Sequence, residues 1–138
     1  KHFTDRHVQG ILENLIFISS GWYMYSYNKK ELQYLSRKLK TGICLDLSHA
    51  VLSAVQQRIK PEKYLCELRK LPVWHIHLCD GFLERPVDMH LHFGDGNFLL
   101  EKYMCLLPKN CDITVETGKN IIKSKKDIQL VRRTLGIR

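Results

Sequence analysis

The sequence of 138 residues lacks the features that mark several common classes of protein. No apolar run approaches the roughly 20 residues that a helix needs to span a bilayer, and no signal peptide is visible. The five cysteines form no Cys-x-x-Cys pair and are odd in number, which argues against a zinc ribbon and against a disulfide framework. Gly-x-Gly-x-x-Gly and Walker motifs are absent as well, so no motif supports a nucleotide-binding sheet.

The composition is that of an ordinary globular protein, with 44% hydrophobic and 26% charged residues. Its length predicts a single domain over residues 1–138, and unpaired cysteines fit a reducing cytoplasm. Because the sequence starts at Lys1 and not at Met, we expect that an upstream part has been removed or is not included. The net charge of +8 favours an anionic partner, nucleic acid or a phosphorylated small molecule, although much of it comes from Lys and Arg on solvated helix faces.

Strand and helix patterns alternate along the chain. Short apolar runs predict strands at 11–14, 42–46, 73–78 and 112–116. Helical spacing predicts helices over about 29–39, 48–58, 61–70, 98–107 and 121–135, with Asn28 as the first N-cap. The faces expected to be buried carry Leu32, Leu35 and Leu39 in the first helix and Ile128, Val131 and Leu135 in the last. Residues 1–9 resemble a helix end, and residues 21–27 form an aromatic loop.

Four strand–helix units of this kind predict a parallel sheet with right-handed crossovers. Four parallel strands leave two open edges, whereas eight units close a barrel of about 250 residues. The sequence therefore predicts an α/β fold that is half of a (β/α)₈ TIM barrel, and specifically its C-terminal half. A small open α/β sheet is the alternative.

Each predicted strand finishes in an acidic or imidazole side chain: Glu13, Asp46, His77 and Glu116, in that order. A parallel sheet places the carboxyl ends of its strands on one rim, where residues distant in sequence meet. Three carboxylates and an imidazole would repel or desolvate one another there without a cation. This pattern predicts a divalent metal site.

Further candidates lie close to these positions. His49 follows Asp46 by three residues, so it can face a neighbouring part of the same cavity. Asp88 and His90 alternate so that both can reach one site from a loop in which Gly94 and Gly96 permit sharp turns. His75 points to the same side as His77 but one layer deeper, where a hydrogen-bonded core histidine is expected.

The order of these motifs resembles the xylose isomerase-like TIM-barrel superfamily, which contains sugar and sugar-phosphate isomerases and epimerases and the endonuclease IV-like proteins. The resemblance covers about residues 10–120 and would correspond to strands five to eight of that barrel. The matching segments are LEN at 12–14, GICLDLSHA at 42–50, HIHLCDG at 75–81, DMHLHFGDG at 88–96 and TVETG at 114–118.

The resemblance implies a metal-binding quartet of Glu13, Asp46, His77 and Glu116, with His49 contacting substrate. In an isomerase or epimerase, Glu13 and Glu116 would shuttle a proton through an enediolate, which a Lewis-acid cation stabilises. One nitrogen and three carboxylate ligands suit Mn²⁺ or Mg²⁺, with Zn²⁺ or Co²⁺ as alternatives. The substrate would be a small sugar or sugar phosphate.

Two other functions stay open at this point. An endonuclease IV-like enzyme would cut DNA at apurinic or apyrimidinic sites with several zinc ions, and Asp88 and His90 resemble the pair that holds an additional zinc there. That branch also takes two histidine ligands from an N-terminal half. Alternatively, the chain is a non-catalytic or split-barrel fragment, which self-associates or needs the N-terminal half to complete the barrel.

Overall fold

A computed structural model describes residues 10–18 and 25–137. Its centre is one parallel sheet with the strand order β1-β2-β3-β4. The strands are β1 (Leu12–Glu13), β2 (Ile43–Asp46), β3 (Val73–Leu78) and β4 (Asp112–Val115). The helices are α1 (Lys29–Leu39), α2 (Leu47–Gln56), α3 (Pro61–Leu68), α4 (Leu100–Met104) and α5 (Ile121–Leu135). The chain is therefore an α/β half-barrel, as predicted from the alternating pattern.

Local capping explains where the helices begin and end. The Asn28 side chain accepts a hydrogen bond from the amide of Glu31, which fixes the first turn of α1. Asp46 caps α2 in the same way through the amide of His49. Pro61 occupies the first turn of α3, where its missing N–H costs nothing, and Gly136 ends α5 in the left-handed conformation.

The helices cover one face of the sheet and form the hydrophobic core with it. Alternate strand residues, such as Ile43, Leu45, Ile76 and Leu78, are fully buried on that side. The helices contribute Leu32, Val51, Leu65, Leu68, Tyr103, Met104 and Val131. The apolar surface that stabilises the fold is thus concentrated on the side of the sheet away from the predicted ligands.

Most of the predicted elements are confirmed, with shorter bounds at several ends. The expected 98–107 helix is regular only over α4, and the first strand has two residues. Two predicted core residues are wrong, since Leu39 is 62% exposed and Ile128 is 45% exposed. Leu39 is the last residue of α1, where the helix ends at the left-handed residue Lys40. The predictions of a helix end at residues 1–9 and of an aromatic loop at 21–24 concern residues outside the described part of the chain.

The other face of the sheet carries polar side chains in register. Glu13 lies beside Cys44, which lies beside His75. One row closer to the carboxyl rim, Asp46 pairs with His77. Glu116 follows β4, and its amide donates to the carbonyl of Leu78 at 2.9 Å, so it belongs to the rim itself. The three rows bring the strand-end residues to one place.

The long connection between β3 and α4 is organised by the buried carboxylate of Asp80. One of its oxygens accepts the amides of Gly81 and Phe98, and the other accepts the amides of Gly94 and Gly96. Gly94 has a φ of +88°, and a Cβ on Gly96 would lie 2.3 Å from the carbonyl oxygen of Gly81. Both glycines are therefore required by the fold of this loop.

No helix within the described residues is both long and apolar enough to cross a membrane. All five cysteines lie in the described part of the chain, and each is free. The reading of the cysteines as unpaired thiols is thereby confirmed.

We expect Asp80→Ala to lower the free energy of unfolding by about 3 kcal/mol, because four backbone amides would lose a buried charged acceptor. The matched control is Asp95→Ala in the same loop. Asp95 forms an exposed ion pair with Lys123, so its loss should cost no more than about 0.5 kcal/mol. Urea unfolding of both variants tests this expectation, and equal losses would contradict it.

Candidate metal centre

The four strand-end residues meet around the imidazole of His77. Its Nδ1 atom lies 3.7 Å from Glu13 Oε1, 3.8 Å from Asp46 Oδ2 and 3.5 Å from Glu116 Oε1. Glu13 lies one row below His77 in the sheet, and Glu116 follows the end of β4. The two glutamate side chains therefore approach the imidazole from different rows. The predicted quartet is therefore brought together.

These distances fit a shared cation better than hydrogen bonds. Nitrogen–oxygen hydrogen bonds are about 2.7–3.2 Å long, and all three separations exceed that. Two ligands bound to one cation at about 2.0–2.2 Å each lie roughly 3–3.5 Å apart. His77 Nδ1 and Asp46 Oδ2 are also buried and have no hydrogen-bond partner among the described residues. A divalent ion between them would satisfy both atoms, so the donor set fits a metal.

The two carboxylate oxygens of Asp46 make different contacts. Oδ1 accepts the amide of His49 at 2.7 Å and caps α2, while Oδ2 faces His77. Asn14 holds the backbone of Asp46 from both sides, since its carboxamide accepts the Asp46 amide at 2.7 Å and donates to the Asp46 carbonyl at 3.1 Å. Asp46 is thus fixed before any ligand binds.

Burial raises the pKa of Asp46 to about 6, even though the nearby charge of His49 lowers it. Burial also raises the pKa of the Cys44 thiol to about 12, with Glu13, Asp46 and Glu116 contributing in that order. Both shifts oppose further negative charge at this rim. A cation is the group that would reverse them.

His49 lies beside the quartet, and protein atoms engage both of its ring nitrogens. Nδ1 donates to the carbonyl of Asn14 at 2.8 Å and lies 3.4 Å from Glu13 Oε1, while Nε2 lies 3.2 Å from Asp88 Oδ2. Burial alone would lower the pKa of His49, but the hydrogen bond to Asp88 and the charge of Asp46 raise it to about 9. At neutral pH His49 is a cation next to the carboxylates. Its predicted contact with a substrate stays a prediction.

Asp88 and His90 are joined to the quartet through His49. Asp88 Oδ2 contacts His90 Nε2 at 2.5 Å, and Oδ1 accepts the hydroxyl of Ser48 at 3.0 Å and lies 3.5 Å from Cys79 Sγ. Burial opposes the ionised form of Asp88, yet His49, His90 and Ser48 hold its pKa well below the ordinary value. Cys79, Asp88 and His90 are close enough to share an ion. Their role as additional ligands stays a prediction.

His75 is placed one row below His77, as expected, but it is only half-buried. Its Nε2 lies 2.8 Å from Thr114 Oγ1 on the neighbouring strand. The expectation of a hydrogen-bonded histidine is met, while that of a core residue is not, because this face of the sheet is open in the half-barrel.

The sequence alone indicates no role for three polar residues that form hydrogen bonds near the carboxyl rim: Asn14, His92 and Asp127. Asn14 was visible within the LEN segment, and a polar residue directly after a strand-end ligand is the signal that could have found it. Asp127 lies 35 residues from its partner His92, within a helix rich in Lys and Arg. Such a long-range pair leaves no local signal.

Comparison with solved structures finds a similar fold. The fold is similar to the crystal structure of a D-tagatose 3-epimerase-like protein, with a TM-score of 0.71 and 20% sequence identity. The match covers 98% of this chain and 49% of that chain, so the described chain spans about half the length of the solved structure. No protein-family model matches the chain, and no curated protein matches it in sequence. The predicted fold, one half of a (β/α)₈ barrel, is therefore confirmed.

Proposed function

We propose that the strand-end quartet binds one divalent cation and that the protein is a sugar or sugar-phosphate isomerase or epimerase. The observation that carries this proposal is the buried, unpartnered Nδ1 of His77, which lies 3.5–3.8 Å from three carboxylate oxygens. Packing alone does not account for this arrangement, because it brings charged groups together without hydrogen bonds between them. It is well suited to a cation.

The donor set favours a hard or borderline cation. One imidazole nitrogen and three carboxylate oxygens suit Mn²⁺ or Mg²⁺, with Zn²⁺ or Co²⁺ as alternatives. Glu13, Asp46, His77 and Glu116 would hold it. When bound, such an ion supplies Lewis-acid stabilisation of negative charge that develops on a substrate oxygen.

Glu13 and Glu116 are the residues that would move the proton. They come from the two outer strands of the sheet and flank His77 from opposite sides. One carboxylate can take a proton from the carbon next to a carbonyl, and the other carboxyl group can return a proton to the opposite face or to the adjacent carbon. Return to the opposite face inverts a stereocentre. Return to the adjacent carbon, with transfer of the hydroxyl proton to the former carbonyl oxygen, isomerises the sugar.

His49 would place a positively charged donor beside the reacting oxygens. Its Nε2–H lies 3.2 Å from Asp88 Oδ2, a longer contact than the 2.8 Å from Nδ1 to the carbonyl of Asn14. A substrate hydroxyl could accept the hydrogen bond from Nε2–H in place of Asp88, while Nδ1 keeps its hydrogen bond to the carbonyl of Asn14. Asp88 would then keep its contacts with Ser48 and His90.

A partner half would complete the barrel and supply most of the substrate contacts. The sheet ends at β1 on one edge and β4 on the other within the described residues. Apolar residues such as Ile128 and Ile137 are exposed beside the β4 edge, which fits coverage by further structure. The N-terminal half of the same protein or a second copy of this chain could fill this position.

Among the described residues, the nuclease alternative rests on Cys79, Asp88 and His90, which are close enough to share a further ion. Asp88 would be the ligand of an additional zinc, but its oxygens already contact Ser48, His49 and His90. The number of metal ions bound separates the two functions, since the isomerase needs one per barrel and the nuclease three.

We expect Glu116→Gln and Glu13→Gln each to reduce isomerase or epimerase turnover by at least about 10³-fold, because each removes a proton carrier and a charged ligand. The assay measures interconversion of a panel of ketoses and ketose phosphates with added Mn²⁺. The protein assayed is this chain together with the half that completes the barrel. Glu101→Gln, an exposed substitution on α4, is the matched control and should leave turnover unchanged.

Full turnover by Glu116→Gln would contradict the proposal. Binding of three metal ions per barrel, with cleavage of abasic DNA and no change to sugars, would establish the nuclease instead.

A second test concerns the charge of Asp46 without metal. Because its pKa is raised to about 6 in the fold, the ionised form destabilises the metal-free protein, and stability falls as the pH rises from about 4 through 6. Asp46→Asn can still cap α2. In the presence of a chelator it should be more stable than the unmodified chain by about 2 kcal/mol at pH 7.5, and this gain should disappear near pH 4.

Urea unfolding at the two pH values, with and without Mn²⁺, measures both effects. Mn²⁺ should stabilise the unmodified chain and leave Asp46→Asn unchanged. A loss of metal-free stability in Asp46→Asn at pH 7.5 would show that the buried carboxylate is stabilised by the protein itself and that no cation is required to offset it.

A further inference from the structure

A second buried pair of a histidine and a carboxylate lies outside the quartet. His92 Nδ1 is 2.6 Å from Asp127 Oδ2, and the residues are 7% and 3% exposed. Asp127 belongs to α5, whose neighbouring residues are mostly exposed lysines and other solvent-facing side chains. A carboxylate turned inward from such a helix carries a desolvation cost, so its contacts need an explanation.

Asp127 joins three segments of the chain. Besides the ring of His92, its carboxylate accepts the amide of Phe93 at 3.1 Å and the hydroxyl of Thr117 at 3.0 Å. It therefore links α5 to the loop that precedes α4 and to the connection between β4 and α5. Thr117 is the residue that follows the proposed ligand Glu116.

The connection after β4 is held at three consecutive residues. The Glu116 amide donates to the carbonyl of Leu78, the Thr117 hydroxyl donates to Asp127, and the Gly118 amide donates to the carbonyl of His90 at 3.1 Å. Of these three contacts, only that of Thr117 uses a side chain as donor, and a side chain can be changed without altering the backbone.

His92 completes the support from the loop side. Its Nδ1–H is used by Asp127, and its buried Nε2 has no hydrogen-bond partner. A Cβ built on Gly118 would lie 3.5 Å from that Nε2, so the ring packs directly against the turn after Glu116. The ring is a spacer between Asp127 and the turn, held in one orientation by a single hydrogen bond.

We propose that Asp127, His92 and Thr117 are positioning residues for Glu116, and that they hold its carboxylate at the cation. This inference rests on the proposed function, because it assigns the network to a ligand of that centre. Partners that orient metal ligands from outside the coordination sphere commonly contribute 10–100-fold to metal affinity. The hydroxyl of Thr117 is the smallest group whose removal tests this.

The experiment compares Mn²⁺ binding by Thr117→Val with that of Thr134→Val. Both changes replace a hydroxyl with a methyl group, but Thr134 Oγ1 in α5 has no hydrogen-bond partner. Isothermal titration of the chain with Mn²⁺ should show about tenfold weaker binding for Thr117→Val and unchanged binding for Thr134→Val. Unchanged binding by Thr117→Val would overturn the inference while leaving the metal centre intact.

A double-mutant cycle with Glu116→Gln separates positioning from general destabilisation. If Thr117 acts through the Glu116 carboxylate, adding Thr117→Val to Glu116→Gln should change Mn²⁺ affinity by less than twofold. A full tenfold further loss in that background would overturn the positioning role. Absence of Mn²⁺ binding by the unmodified chain would overturn the proposed function and this inference together.

Discussion

The convergence of three carboxylates on one imidazole nitrogen is the constraint on which the rest of the structure depends. Glu13, Asp46 and Glu116 surround His77 Nδ1 at distances too long for hydrogen bonds. Such a cluster opposes folding, because like charges repel and Asp46 is desolvated. The free energy that holds it in place must therefore come from elsewhere in the chain, and a bound cation would supply the remainder.

Strand alternation separates the source of stability from the site. In β2, Ile43 and Leu45 are buried under the helices, while Cys44 and Asp46 face the opposite side. A second source is the group of buried side chains that hold backbone at the carboxyl rim: Asn14, Asp80 and Asp127. Asn14 binds the amide and the carbonyl of Asp46, Asp80 accepts four loop amides, and Asp127 accepts the Phe93 amide and the Thr117 hydroxyl. The rim is thus fixed by hydrogen bonds, where the core is fixed by apolar contacts.

The sequence was sufficient for the architecture and the ligand set because both have periodic or positional signals. Apolar runs ending in Glu13, Asp46, His77 and Glu116 predicted four parallel strands and one shared rim. Leu39 was misplaced because helical spacing cannot tell whether the last residue of a helix is covered. The pairing of His92 with Asp127 could not be predicted at all, since it depends on where α5 packs against a loop far away in sequence.

The four proposed ligands lie at the carboxyl ends of four consecutive strands, so under the proposed function this half-barrel alone would bind the cation. Substrate recognition would differ, because the face of the sheet that carries His75 and His77 is open within the described residues. The electrostatic cost of the cluster would then be met within this chain by its cation. A partner half would have to provide only the shape and selectivity of the substrate pocket, and it could vary without disturbing the charges around His77.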